Sequence, residues 1–263
     1  VLKNAIMKSV PLINRCSFEE IEKLITDALH LGLDNDYGYD YIKDFEERFL
    51  VKTRNPISTG WHKIDKITHG GLGIGELTVV IAPTGAGKSH VLVHLGAQAL
   101  KQGKNVVHIT LELADTAVAR RYDACLTGHN LNHLIENKED IFEKIQGVDG
   151  QLIIKEYPTK SATIGMIKNH LEKIRQHEMA LDMIILDYGD LVRPSGGNKN
   201  NEKRHDLESI YEDLRGLAQE FKCPVVTASQ TNRKGLNEEV ITMESISEAF
   251  NKCFVADFII SLS

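Results

Sequence analysis

Ala82-Pro83-Thr84-Gly85-Ala86-Gly87-Lys88-Ser89 lies between an apolar run, 77–82, and an amphipathic segment, 88–102. A glycine turn joining a strand to a helix is the setting of a phosphate loop, because Gly85 and Gly87 let backbone amides converge on phosphate oxygens at the helix N-terminus. In that reading Lys88 reaches the β and γ phosphates of ATP, Ser89 ligates Mg2+, and His90 completes the nucleotide-binding stretch. Ala82 stands where the strict G-x4-G-K-[ST] pattern has its first glycine.

Outward from this loop, apolar runs alternate with amphipathic segments. The runs predict strands at 77–82, 105–110, 152–156, 183–187, 224–228 and 258–262, and the segments predict helices at 88–102, 116–127, 141–146, 164–176 and 202–221. Such alternation specifies an α/β fold, a mostly parallel sheet flanked by helices. Towards the N-terminus, Ser17 and Glu20 form a capping box, and Phe18, Ile21, Leu24, Ile25, Ala28 and Leu29 follow at helical spacing, which predicts one helix over 17–32. Glycine and aspartate from Gly32 to Asp40 break it, and a second short helix is expected over 41–50. The chain thus divides into a helical linker, 1–50, and an ATPase domain, 51–263.

Three further strand ends carry chemistry. Asp187 closes Met183-Ile-Ile-Leu-Asp, and the carboxyl ends of parallel strands meet at one crevice, so Asp187 is expected beside Ser89 as a magnesium ligand through water. Glu112 closes His108-Ile-Thr-Leu-Glu and reads as the general base for the water that attacks the γ phosphate, or else as a helix N-cap shared with Asp115. Gln230 ends the next run, where a neutral amide can sense the γ phosphate. Beyond Asp187 come Arg193, Lys199, Lys203 and Arg204, and beyond Gln230 come Arg233 and Lys234. Two basic loops at one sheet edge suit the phosphates of single-stranded DNA, the alternative being solvated surface loops.

Composition limits the rest. The net charge of −6 excludes a surface coated in positive charge, so any nucleic-acid site is local; the first 16 residues carry +3 and residues 17–50 carry −7. No run approaches the ~20 apolar residues of a membrane span and no signal peptide is evident, so a cytoplasmic protein without membrane contact is expected. Cys16, Cys125, Cys223 and Cys253 form no CxxC pair and read as free thiols, and the 11 histidines form no metal-ligand pattern.

Four blocks in order, APTGAGKS at 82–89, ITLELADTAVARRYDA at 109–124, MIILDYGDLV at 183–192 and VVTASQTNR at 225–233, resemble the hexameric replicative DNA helicases of the DnaB type, above all their bacteriophage versions. The family often has alanine at the position of Ala82 and an arginine nine residues after the glutamate, as Arg121 follows Glu112. The resemblance implies a RecA-like domain that assembles as a homo-hexameric ring, hydrolyses ATP between subunits and moves 5′ to 3′ along single-stranded DNA. It assigns Lys88, Ser89, Glu112, Asp187 and Gln230 to the nucleotide site, Arg121 to the subunit boundary, and primase and a helicase loader as partners. It also implies that the linker helix docks on a neighbouring protomer. The family's arginine finger lies beyond the last strand, whereas this sequence stops at Ser263, and its N-terminal domain is absent or reduced to 1–50, so a helicase core of low turnover is expected. A RecA-like recombinase and a regulatory phosphate-loop ATPase are the alternatives.

Overall fold

The computed structural model describes residues 2–13, 18–33, 38–46, 49, 54–177, 179–194, 203–230 and 254–262. They belong to two compact units, Val1–Thr53 and Arg54–Ser263. In the first, α1 (Leu2–Ile13) packs against α2 (Phe18–Leu33). Ile21, Leu24 and Ile25 are half-buried, while Phe18 remains 66% exposed. Ser17 lies outside the described residues. Of the helix expected over 41–50, residues 41–46 form a turn and residue 49 is helical, while 47, 48 and 50 lie outside the described residues. The Asp40 carboxylate accepts from the backbone N–H groups of Ile42 (3.2 Å) and Lys43 (3.0 Å), as a helix N-cap does, and the Asp44 N–H bonds the Asp40 carbonyl at 2.9 Å.

The second unit contains α3 (His62–Ile67), β1 (Leu77–Ala82), α4 (Lys88–Lys101), β2 (Val106–Thr110), α5 (Asp115–Thr127), α6 (Lys138–Gln146), β3 (Leu152–Glu156), α7 (Ile164–Gln176), β4 (Met183–Asp187), α8 (Lys203–Phe221), β5 (Val225–Gln230) and β6 (Phe258–Ser261). The six strands form one parallel sheet in the order β3-β2-β4-β5-β1-β6. Every residue of β1, β2 and β4 is buried, as expected of strands covered on both faces. Alternate residues serve opposite layers: Val79, Ile81, Val107, Ile109, Ile184 and Leu186 pack with α7 and α8, whereas Val80, Val106, Ile185 and Val226 pack with α4 and α5. Helix α8 contributes Ile210, Tyr211, Leu214, Leu217, Ala218 and Phe221, a stripe at spacings of three and four.

Residues 54–76 brace this layer from outside. Arg54 grips Glu76 bidentately, with N···O distances of 2.6 and 2.7 Å. The loop before α3 is folded on Asp65, which accepts from Ser58 Oγ, Thr59 Oγ1 and the Thr59 N–H. Trp61 stacks on His94 of α4 at 4.3 Å between ring centroids, and His94 bonds the Thr59 carbonyl at 2.9 Å.

Because all strands point one way, β1, β2, β4 and β5 end on the same edge. Register makes this concrete: Ala82 pairs with Gln230, and Thr110 pairs with Asp187. No described helix is long and apolar enough to cross a membrane. Cys223 is buried and Cys125 half-buried, both as free thiols; Cys16 and Cys253 lie outside the described residues.

Candidate nucleotide site

The loop after β1 has the conformation its glycines permit. Gly85 and Gly87 take φ of 83° and 95°, values that favour glycine, and nothing stands within 4 Å of where either Cβ would be. Thr84, Gly85 and Ala86 are exposed, so the cradle opens outward from α4, whose N-cap is Gly87. Lys88 folds back into it: Nζ donates to the carbonyls of Pro83 (3.1 Å) and Ala82 (3.4 Å). Burial pushes its pKa down, opposed by the charges of Glu112, Asp187 and Asp190. Among the described residues the ammonium bonds only backbone carbonyls, which it can leave for a phosphate oxygen.

Asp187 is 1% exposed, and among the described residues only the Ser89 hydroxyl bears on its carboxylate as a side-chain hydrogen-bond donor. Burial raises its pKa; the Ser89 hydroxyl and the charges of Arg121 and Lys88 work the other way, and Glu112 adds to the rise. A buried carboxylate beside a serine hydroxyl is a donor set suited to a hard divalent cation. The loop, Lys88, Ser89 and Asp187 thus fit a magnesium-bound nucleotide.

Glu112 stands just past β2, exposed, in a turn held by Thr110: its Oγ1 donates to the Leu113 carbonyl (2.8 Å) and accepts the Leu113 N–H (3.1 Å). The Leu111 N–H continues the ladder onto the Asp187 carbonyl at 2.8 Å, so Glu112 leaves the sheet beside Asp187. It does not cap α5, whose N-cap is Ala114 without a side-chain bond; the Asp115 N–H is met by Glu156 at 3.2 Å. Gln230 donates from Nε2 to Tyr188 Oη at 3.0 Å. Tyr188 is 8% exposed, and burial together with Glu112, Asp190 and Asp187 pushes its hydroxyl up to about 12.

Arg121, on α5, makes no hydrogen bond or ion pair among the described residues, yet its charge bears on His90, His108 and Asp187 of its own chain. His90 has its pKa lowered, by desolvation first and then by Arg121. Beneath these groups, His108 of β2 is fully buried and bonds Tyr122 Oη of α5 at 2.9 Å, the rings meeting edge to face. Burial, then Arg121, lowers its pKa to about 3. Gly96 makes room for that phenol: a Cβ there would stand 2.1 Å from Tyr122 Oη.

The basic loops are only partly described. Arg193 is exposed and its N–H bonds the Ala162 carbonyl at 2.8 Å. Lys203 and Arg204 fall in the first turn of α8, while Lys199, Arg233 and Lys234 lie outside the described residues. Three residues of the site region escape a reading of the sequence: Asp190, His108 and Tyr122. An acid three residues beyond Asp187, in the same short turn, is the one signal that could have drawn attention to Asp190.

Residues 56–240 match the DnaB-like helicase C terminal domain. The chain belongs to that DnaB-like family. It is 27% identical over 254 residues to the DnaB-like replicative helicase of Enterobacteria phage T4, covering 92% of this chain and 54% of that protein. To the replicative DNA helicase DnaB of Mycoplasma genitalium it is 25% identical over 234 residues, covering 82% and 49%. The chain therefore spans about half the length of these DnaB-like relatives. Among solved structures, an ATPase domain superposes with a TM-score of 0.71 at 16% identity, covering 87% of this chain and 84% of that one. A DnaB-like replicative helicase solved for its interactions with primase gives 0.73 at 15% identity, covering 98% and 64%. At such identities these two establish the RecA-like fold alone.

Proposed function

We propose that this chain is the ATP-hydrolysing motor of a replicative DNA helicase, acting on single-stranded DNA. The observation that carries the reading is the convergence of the open glycine cradle, Lys88, Ser89 and the buried Asp187 carboxylate at one sheet edge, with Glu112 beside them.

In this mechanism Lys88 leaves the Ala82 and Pro83 carbonyls for the β and γ phosphates. Ser89 and Asp187 would hold Mg2+, which would supply positive charge against the negative charge that develops on the phosphate oxygens. Glu112 takes the proton of the attacking water, and Gln230 exchanges its bond to Tyr188 for one to the γ phosphate. Arg121 adds positive charge at the edge of the site, near a subunit boundary. Its free guanidinium supports that role.

The motor works in a homo-hexameric ring that moves 5′ to 3′, with DNA held by Arg193, Lys199, Lys203, Arg204, Arg233 and Lys234 and with primase and a loader as partners. Helix α2 belongs to this picture as the segment that docks on a neighbouring protomer. Phe18 at 66% exposure and α1's Ile6, Met7 and Val10, each at least half exposed, support the docking.

Steady-state ATP hydrolysis with and without single-stranded DNA, at several protein concentrations, tests the reading. Hydrolysis stimulated by DNA and rising per subunit with concentration is expected; a rate indifferent to both overturns the motor. Glu112→Gln should lower the rate by ~10² or more while nucleotide binding persists.

A further inference from the structure

Gln230 can sense a phosphate only if its strand end is held while its amide moves. Asp190 supplies the hold. It sits in the 3-10 turn Gly189–Leu191 just beyond β4, and its carboxylate accepts from Tyr211 Oη at 2.9 Å on one oxygen and from Ser229 Oγ (3.2 Å) and the Gln230 N–H (3.3 Å) on the other. Below it, Thr227 Oγ1 donates to the Leu186 carbonyl and accepts the Gly189 N–H, both at 2.9 Å, which ties the ends of β4 and β5 together. The turn comes close enough to Tyr211 because residue 189 is glycine; a Cβ there would stand 3.1 Å from the phenol and 3.2 Å from Thr227 Oγ1.

A continuous path of hydrogen bonds therefore runs from Tyr188, beside the Glu112 and Asp187 charges, through Gln230 and Asp190 to Tyr211, which is fully buried in α8. The phenol also lies 3.2 Å from the Ala228 carbonyl, but the ionised carboxylate is the stronger acceptor for its single proton. With the backbone of Gln230 pinned, exchange of the amide from Tyr188 to a third phosphate needs only side-chain torsions.

We propose that Asp190 is a positioning residue for recognition of the third phosphate, and that through Tyr211 it makes helix α8 part of the device that tells a nucleoside triphosphate from a diphosphate. This rests on the nucleotide-site reading above.

The test measures binding of ADP and of the slowly hydrolysed ATPγS, with Mg2+, to the full chain and to Tyr211→Phe, Asp190→Asn and Gln230→Ala. In Tyr211→Phe and Asp190→Asn, affinity for ATPγS relative to ADP should fall about fivefold, the worth of one ordinary hydrogen bond, with ADP binding within about twofold of wild type. In the Gln230→Ala background neither change should have any further effect, because the action runs through Gln230. Equal weakening of both nucleotides, a wild-type ratio in both variants, or an effect that persists without Gln230 overturns the proposal. If Tyr211→Phe fails to fold, Asp190→Asn carries the test. A wild-type chain that binds neither nucleotide overturns the site reading and this proposal with it, whereas wild-type binding that Lys88→Ala abolishes leaves the site reading standing whatever the ratio does.

Discussion

His108 makes this domain acid-sensitive in a window set by its burial. The ring is inside the sheet layer with no exposed surface, and its pKa is lowered to about 3 from 6.5. The folded state thus keeps His108 neutral between those values while the unfolded chain takes up a proton, so stability is complete above 6.5 and is lost as pH falls. Between pH 7.5 and pH 5, linkage at 1.36 kcal/mol per pH unit gives a loss of about 2 kcal/mol from this one group, and any folded pKa well below 5 gives the same figure. The perturbation is His108→Gln, which removes the titration but keeps a polar side chain of similar reach for Tyr122. The assay is urea unfolding at the two pH values, followed by Trp61, the single tryptophan, which stacks on His94 and so reports the sheet domain. Wild type should lose about 2 kcal/mol more than the variant, a midpoint shift of roughly 1 M. Equal losses in the two proteins would refute the reasoning, because every other titrating group is common to both.

Asp187→Asn should abolish the rise in unfolding temperature that Mg2+ and nucleotide together give the wild-type domain, because it removes the buried carboxylate beside Ser89; a rise that survives the substitution contradicts the metal-ligand role. Gly96→Ala should destabilise by ~1–3 kcal/mol through overpacking, since its Cβ meets Tyr122 Oη at 2.1 Å and Ile185 Cδ1 at 2.9 Å, and Gly96→Ala combined with Tyr122→Phe should recover part of the loss in the same urea experiment. Glu76 has its pKa lowered, first by the Arg54 hydrogen bonds, so its contribution is present above about 4.5 and fades as pH falls through the depressed value. Glu76→Gln should therefore cost stability at pH 7, about 1 kcal/mol once solvent screening is allowed for, and the gap should close as pH falls through that depressed value.

The sheet was legible because its strands are buried on both faces and so appear as unbroken apolar runs. Strands β3 and β4 match the runs at 152–156 and 183–187, but β5 continues two residues past its apolar stretch to Ser229 and Gln230. Polar residues continue the ladder there, with Gln230 opposite Ala82, and an apolar-run criterion stops short of a ligand edge by construction. Helix α6 similarly begins at Lys138, ahead of its first buried residue Ile141, with Glu139 and Asp140 in a favourable first turn. Of the candidate-site residues, Asp187 and Gln230 were legible because each ends a strand, Glu112 because it follows one and Lys88 and Ser89 because they follow a glycine turn, and parallel topology converts these positions into proximity. Nothing local pairs His108 with Tyr122 or Asp190 with Tyr211, because those contacts exist only once helices lie on the sheet.

The strand order also governs how this chain is made. Strand β1, which delivers the phosphate loop, pairs with β5 and β6 and with no described strand nearer in sequence. A ribosome adding ~5–20 residues per second therefore needs roughly 7–30 s after finishing Ala82 before Gln230 exists to pair with it. For that interval Leu77 to Ala82 is an all-apolar ribbon, save Thr78, without a neighbour on either side. The nascent chain is thus most exposed to aggregation while the glycine loop after β1 is already complete, before the strand that carries it has found its neighbours.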